Sequence, residues 1–467
     1  MLYKGLTEHV LNTSGCTFKN YSLPYFISLK LNIYKRRNTT NVHTKIRNKI
    51  MDVDTVIRNG HVIDPANQTD GIFDVAIKDG EIVTVGSNLQ VNATSSYDAT
   101  GYIVTPGLID AHVHCYQYAT PLGINPDETC LARGVTTIID AGSAGATTFM
   151  GLRKFIVEKS KTRVRCLLHI ALHGLAASGC SSGVDGGESD TLAVLDEEQC
   201  AQCIEENRDV IVGVKVRLSY TICDKGKTEN EAFRRAISVS QKTKTPLMVH
   251  HTISYVPTQK SLVPNADVGC PIDMNPGDIY THTYHGYMST IVDNESKSIY
   301  TDVFKARSRG VLFDVGHGAG GFNWTVAEIA TKEGFWPDMI GTDLHILNYD
   351  GPAYDLPTAM SKFLHLGMSL NDVIRSVTCT PARAYSLDTI GSLSSGKCAD
   401  ITVLKMDDCD VMLEDSVGQL RNVRKRLVPV AVWREGLQEK IKLPEVWPNP
   451  EAQRRSLKNL PNQEVHD

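Results

Sequence analysis

Eight short apolar segments recur between residues 107 and 345, and nearly every one finishes on a histidine, aspartate, lysine or arginine. They are GLIDAHVH, TTIIDAG, RCLLHIALHG, VIVGVKVRLS, PLMVHH, DIYTHTYHG, VLFDVGHG and DMIGTDLH. Their length and content of β-branched residues read as buried strands. Helical patterns such as EEQCAQCIEEN and NEAFRRAISVSQ fall between some of them. Strands alternating with helices imply parallel βαβ units, and eight such units imply an α/β fold, the (β/α)8 barrel of the TIM type. A doubly wound open sheet is the alternative. An open sheet would not gather eight polar strand ends at one point, whereas a barrel brings its C-terminal strand ends to one mouth.

The flanks read differently. DTVIRNGHVID, DVAIKDGEIVTVG and SYDATGYIVTPG alternate apolar and polar residues around Asn-Gly, Asp-Gly and Gly turns, and GKCADITVLK and LVPVAVWREG do the same near the other end. The two ends are expected to form one small β-sandwich from residues 51–103 and 396–442, with the barrel, 104–395, inserted between them. Residues 443–467 are rich in Pro, Asn and Gln and read as an irregular tail. Residues 1–51 hold nine Lys or Arg against the single acid Glu8, a net +8 in a chain whose total is −5. Residues 1–50 thus form a basic extension with three open readings: a disordered segment, an organelle-targeting peptide, or sequence upstream of the true start at Met51.

The total charge of −5 gives no reason to expect a nucleic-acid partner. No apolar run approaches the roughly 18–20 residues that span a bilayer. Twelve cysteines are scattered through the chain, which suggests reduced thiols in a cytoplasmic setting and not a disulfide scaffold. Cys200 and Cys203 form a lone CxxC in a helical pattern, a weak signal for redox or zinc chemistry.

The strand ends carry the chemistry. Lys215 sits in the middle of an apolar strand and Arg217 shares its face. An unpaired buried ammonium is costly, so this lysine needs an explanation. His112 and His114, one residue apart, share a strand face. His250 and His251 end the fifth strand, His282 and His285 end or follow the sixth, and Asp343 ends the eighth. One histidine on an apolar strand is usually a hydrogen-bonded core residue. Several imidazoles and a carboxylate converging at one mouth instead suit zinc or a similar divalent ion. His250 and His251 point to opposite faces, so one of them alone can ligate, and spacing does not decide which. His317, between glycines in VGHGAGG, and His285 are candidate substrate contacts. Arg217 suits an oxyanion or a substrate carboxylate, or equally a structural ion pair. His169 and His173 read as packing or rim residues, and GSAGA, 142–146, as a pocket lining.

These motifs resemble the amidohydrolase superfamily over about residues 51–442. The carriers are VTPGLIDAHVH, the lysine of GVKVRLS, His250, His282, and Asp343 in GTD. RGVTTIIDAGSAGATTF, GVKVRLS, FDVGHGAGGFNW and IGTDLH look like its dihydroorotase-like or acetylhydrolase-type deacetylase branch. The resemblance implies two divalent metal ions, zinc by preference, with Lys215 converted by carbon dioxide to a carbamate that bridges them. It implies His112, His114 and Asp343 on the more buried ion and His250 and His282 on the more exposed one; where spacing leaves His250 against His251 open, it selects His250. It further implies attack by a metal-bridging hydroxide on a carbonyl, with Asp343 shuttling the proton. The expected substrate is a small acylated molecule or a cyclic amide, and deacetylation is the leading reading. A cyclic amidase and a non-catalytic barrel scaffold are the alternatives, and a homo-oligomer is compatible with the resemblance. Dihydroorotases carry an arginine two residues past the second histidine, where this chain has Tyr116.

Overall fold

The computed structural model describes residues 50–177 and 186–449. Apart from Ile50, the basic extension expected at 1–50 lies outside the described residues, as do residues 450–467 of the expected tail.

Seven parallel strands form one sheet in simple sequential order. They are β1 (Leu108–Val113), β2 (Val135–Gly145), β3 (Arg163–His169), β4 (Ile211–Leu218), β5 (Leu247–His251), β6 (Ile279–Thr281) and β7 (Leu312–Phe313). Residues 338–345 supply the eighth position through single parallel bridges, Met339 to Asp314 beside β7 and Leu344 to Val113 at the end of β1. The bonds Val315 N–H to Met339 O and His114 N–H to Leu344 O join this segment to both edges of the sheet. Regular pairing stops early in β6, β7 and the eighth segment for a local reason. His282, Gly316 and Asp343 have φ of +63°, +48° and +47°, so the chain leaves the ladder where the polar residues begin.

Every residue of β1 and β2 is buried, as expected for parallel strands covered on both faces. Two of the covering helices are α1 (Glu197–Glu206), between β3 and β4, and α2 (Glu229–Thr243), between β4 and β5. Asp196 caps α1 by accepting Gln199 N–H. In α2, Ala232, Phe233, Ala236, Val239, Ser240 and Thr243 are buried at helical spacing, giving one apolar stripe against the sheet. The CxxC lies on α1, and the ten cysteines of the described residues are all free thiols.

The two chain ends meet in a second, largely antiparallel sheet of eight strands. Its order is Leu437–Glu439, Leu420–Arg434, Ile401–Glu414, Ile103–Pro106, Met51–Asp64, Thr69–Lys78 and Glu81–Gly86, with Val91–Asp98 paired in parallel to Met51–Asp64. The short strand Ile103–Pro106 straddles the boundary drawn from sequence at 103/104 and carries the chain from this sheet into β1. Val62, Ile77, Val104, Ile401, Val403 and Trp433 form its core. The far half of the Ile401–Glu414/Leu420–Arg434 ribbon leaves that core. Its residues Leu413, Val423 and Leu427 join the barrel core instead, beside the helix α3 (Leu356–His365), where Ser361 Oγ accepts Leu427 N–H at 2.9 Å. At the N-terminal end of β3, Arg163 pairs with the buried Asp400 and with Glu435, tying barrel to sheet.

Candidate metal centre

The C-terminal ends of the parallel strands deliver His112 from β1, His114 just beyond it, Lys215 from β4, His250 from β5, His282 one residue after β6, and Asp343 from the eighth segment. These six side chains meet. The rings of His112 and His282 are 5.2 Å apart between centroids, those of His250 and His282 4.3 Å, and those of His112 and His114 5.6 Å. Asp343 Oδ1 lies 3.1 Å from His114 Nε2 and 3.4 Å from His112 Nε2. Lys215 Nζ lies 3.4 Å from His112 Nε2.

The outward hydrogen bonds fix what faces inward. His112 Nδ1 donates to the carboxylate of Asp314 at 3.2 Å, beside Thr281 Oγ1 at 2.9 Å. His282 Nδ1 donates to Gly316 O at 2.6 Å. Carboxylate and carbonyl only accept, so Nε2 of both rings carries the lone pair. His114 Nδ1 is held by Ser143 Oγ at 3.0 Å and His250 Nε2 by Thr252 Oγ1 at 2.8 Å. Burial pushes His114 and His282 down to about 3 and drives His112 and His250 well below the ordinary imidazole value, so all four are neutral. Buried lone pairs therefore face a buried carboxylate oxygen. His282 Nε2 and Asp343 Oδ1 have no hydrogen-bond partner among the described residues. Lone pairs turned on one another are repulsive unless a cation lies among them, and His112, His114 and Asp343 offer ligand atoms all within 4.8 Å. The donor set fits divalent metal ions.

Lys215 is 1% exposed, and burial pushes it down to about 7 against the raising effect of Asp343. Among the described residues its amine has hydrogen-bond contacts with His112 and with Met248 Sδ, the latter at 3.2 Å. Gly142, at φ +87°, lets β2 pass this lysine. A Cβ there would stand 2.6 Å from Lys215 Cβ. Through Gly142 and Ser143 the GSAGA stretch does line the cluster.

Other expected residues fall elsewhere. His251 is turned away from the cluster, bonded to Tyr280 Oη at 3.1 Å and Val256 O at 2.8 Å, so His250 is the member of the pair beside His282. His285 is fully buried, accepts Tyr287 N–H at its Nδ1 and stacks on Tyr287. His317 is also fully buried, stacked on Phe322 and bonded to Gly318 O and the Lys362 ammonium. Both rings are enclosed by protein; the two nitrogens of His317 are hydrogen-bonded, while His285 Nε2 has no hydrogen-bond partner among the described residues. Arg217 forms an ion pair with the fully buried Glu188 at 3.0 Å. Burial raises that carboxyl, yet Arg217 and His169 outweigh it and hold Glu188 at about 2. Tyr116 donates to Thr148 O at 3.1 Å.

Sequence reading missed Asp110, Asp140 and Asp314. Asp110 accepts His112 N–H and Thr342, Asp140 accepts Cys115 N–H and Ser143 N–H, and Asp314 holds the His112 ring. The signal was present as one aspartate inside each apolar strand segment LIDAH, IIDAG and FDVG.

The profile of the Amidohydrolase family matches residues 279–437. A deacetylase of Agrobacterium fabrum is 34% identical over 352 residues, covering 75% of this chain and 82% of the relative. A deacetylase of Enterococcus faecalis is 33% identical over 388 residues, covering 81% of this chain and 97% of the relative. The chain belongs to the amidohydrolase family. Among solved structures, an adenine deaminase superposes with a TM-score of 0.75 at 30% identity, over 83% of this chain and 100% of that one. A dihydroorotase gives 0.73 at 30%, over 83% and 98%. As an amidohydrolase the protein is a hydrolytic enzyme, and its curled parallel sheet is the family's TIM-type barrel. No helix among the described residues is long and apolar enough to cross a membrane.

Proposed function

We propose that this amidohydrolase is a binuclear metal-dependent deacetylase acting on a C–N or ester bond of a small molecule. The observation that carries the reading is the inward convergence of buried imidazole lone pairs on Asp343 beside a buried, neutral-leaning Lys215. The likeness to deacetylases over most of their length supports the acyl substrate.

His112, His114 and Asp343 would hold one divalent cation and His250 and His282 the other, zinc being the expected metal. When bound, such a pair supplies hydroxide near neutral pH and polarises a carbonyl. Lys215 enters as its carbamate. The amine lone pair forms the N–C bond to carbon dioxide, a C=O electron pair moves onto oxygen, and one proton leaves to water. A carbamate on Lys215 would be an anion suited to lie beside two divalent cations, where an ammonium would be repelled. Asp343 accepts the proton of the attacking water and delivers it to the leaving nitrogen or oxygen. Its backbone carbonyl is pinned by Asn348 Nδ2 at 2.7 Å, which holds the carboxylate's strained φ in place. Asp314 and Gly316 fix the orientation and tautomer of His112 and His282, and Ser143 and Thr252 orient His114 and His250. The same reading takes the chain ends as one accessory β-sandwich and the free thiols as those of a cytoplasmic protein.

A second reading, a cyclic amidase, is favoured by the likeness to a dihydroorotase. Against it stands Tyr116, whose hydroxyl is spent on Thr148 at the position where dihydroorotases carry arginine. Metal-loaded protein assayed with N-acetyl and O-acetyl compounds and with cyclic amides separates the two. Acetate release is the expected result. Ring opening without acetate release would replace the deacetylase reading, and inert protein with no bound metal would remove both.

A further inference from the structure

Lys362 is a fully buried lysine on α3 with no part in the catalytic assignments above. Its ammonium donates to three acceptors: His317 Nε2 at 2.7 Å, Pro352 O at 2.9 Å and Glu414 O at 2.6 Å. The rings of Phe322 and Trp324 stand 5.4 and 5.8 Å away. The three acceptors come from three separate places: the turn after β7, the chain after the eighth segment, and the far end of the ribbon from the accessory sheet. All three ammonium hydrogens are spent, an arrangement that fixes these segments against one another.

The first of them leads to the metal centre. His317 Nδ1 donates to Gly318 O at 3.0 Å, which leaves Nε2 as the acceptor that Lys362 needs. Ser416 Oγ, at the ribbon tip, donates to His317 O at 3.3 Å. The turn that His317 anchors touches two of the six cluster residues. Gly316 O receives the Nδ1 hydrogen of His282. Gly318 packs against Asp343 so closely that a Cβ there would stand 2.4 Å from Oδ2. His317 N–H and Gly318 N–H also bind Gly341 O and Thr342 O, the residues leading into Asp343.

We propose that Lys362 is a positioning residue for the metal centre: by gripping His317 and the ribbon end it fixes the 316–318 turn, and through that turn the His282 ring and the Asp343 carboxylate. The accessory sheet then contributes to the geometry of the site through Lys362 and His317. The motif VGHGAGG gains a role in which His317 is the handle, Gly316 the acceptor and Gly318 the point of close approach. The inference rests on the metal reading of the cluster.

Cobalt(II) loading of the full chain, read by its visible ligand-field bands, tests both layers separately. Wild-type protein that takes up no cobalt removes the metal reading itself. With cobalt bound to wild type, Lys362→Met keeps the aliphatic stem and deletes the three donors. The expected result is a folded protein with shifted ligand-field bands and at least roughly tenfold weaker retention of one cobalt against a chelator. That is the scale on which losing a second partner of a ligand acts. A folded Lys362→Met with the wild-type spectrum and retention overturns the proposal. If that variant does not fold, His317→Leu and His317→Gln decide. The glutamine keeps an acceptor for Lys362 and is expected to lie nearer wild type than the leucine. Identical spectra for both and for wild type overturn the proposal.

Discussion

At the scale of single residues, Lys215 and Glu188 carry opposite lessons about buried charge. Lys215 has no carboxylate in hydrogen-bond contact among the interactions that the structure records, and its two near neighbours are an imidazole and a thioether. Such an amine is set up to be neutral and to react. Lys215→Ala is expected to abolish hydrolysis and to lose at least one metal per chain, with partial rescue by short carboxylic acids that replace the carbamate oxygens. Full activity in that variant, measured beside its metal content, would remove the carbamate. Glu188 shows the other solution, a full ion pair with Arg217 in the interior. Arg217→Met leaves the carboxylate buried without its guanidinium, a change worth about 3–5 kcal/mol of stability. The sign of the pH dependence follows from a folded-state pKa of about 2 against an ordinary value of 4.5. The stabilisation is complete above the ordinary value and disappears as pH falls from there through about 2. Denaturant unfolding at pH 7 and pH 4 should therefore show a gap between wild type and variant that narrows in acid. A gap that widens would contradict the assignment.

At the scale of elements, the strand ends decide both what the sequence revealed and what it hid. The five segments from GLIDAHVH to PLMVHH form the long members of the parallel sheet because their β-branched runs are buried on both faces. DIYTHTYHG, VLFDVGHG and DMIGTDLH read as strands of equal length, yet ladder pairing persists for three residues, two residues and single bridges. The functional residues are the cause, since His282 and Asp343 adopt left-handed backbone that takes the chain out of the ladder at those points. Residues whose meaning depends on a distant partner were not legible. Nothing near Lys362 in sequence points to His317, and nothing near Glu188 points to Arg217. The side-chain partners of His285 and His317 were hidden for the same reason. Position at a strand end was visible, but the direction of a ring beyond it was not. Gly142 offers a test at this scale. Gly142→Ala forces a side chain into left-handed backbone and against Lys215, costing about 1–3 kcal/mol in strain. A displacement of Lys215 by an ångström is enough for a loss of roughly 100-fold in hydrolysis. Circular dichroism should still report a folded protein. Unchanged kinetics would mean that β2 does not constrain the lysine.

At the scale of the whole molecule, two sheets that the sequence separates are locked by contacts at both ends of the barrel. Arg163 and Asp400 join them at the strand beginnings, and the ribbon reaches α3 and Lys362 on the other side. The segment after the last strand adds a third clasp. Trp447 donates to Asp355 Oδ2 at 2.7 Å, meets Tyr354 edge to face and lies under the Arg133 guanidinium. Trp447→Ala should lower stability by about 1–3 kcal/mol while metal content stays at the wild-type level. Thermal unfolding and elemental analysis of the same preparation check the two halves of that statement, and a coincident loss of metal would show that the clasp reaches the centre. The central claim concerns the six side chains at the barrel mouth, and an anomalous-scattering map of crystals grown from metal-replete protein tests it most directly. The account predicts two peaks, one among His112, His114 and Asp343 and one beside His250 and His282, with added density on Lys215 Nζ between them. Metal-replete crystals with no peak inside that cluster would contradict it.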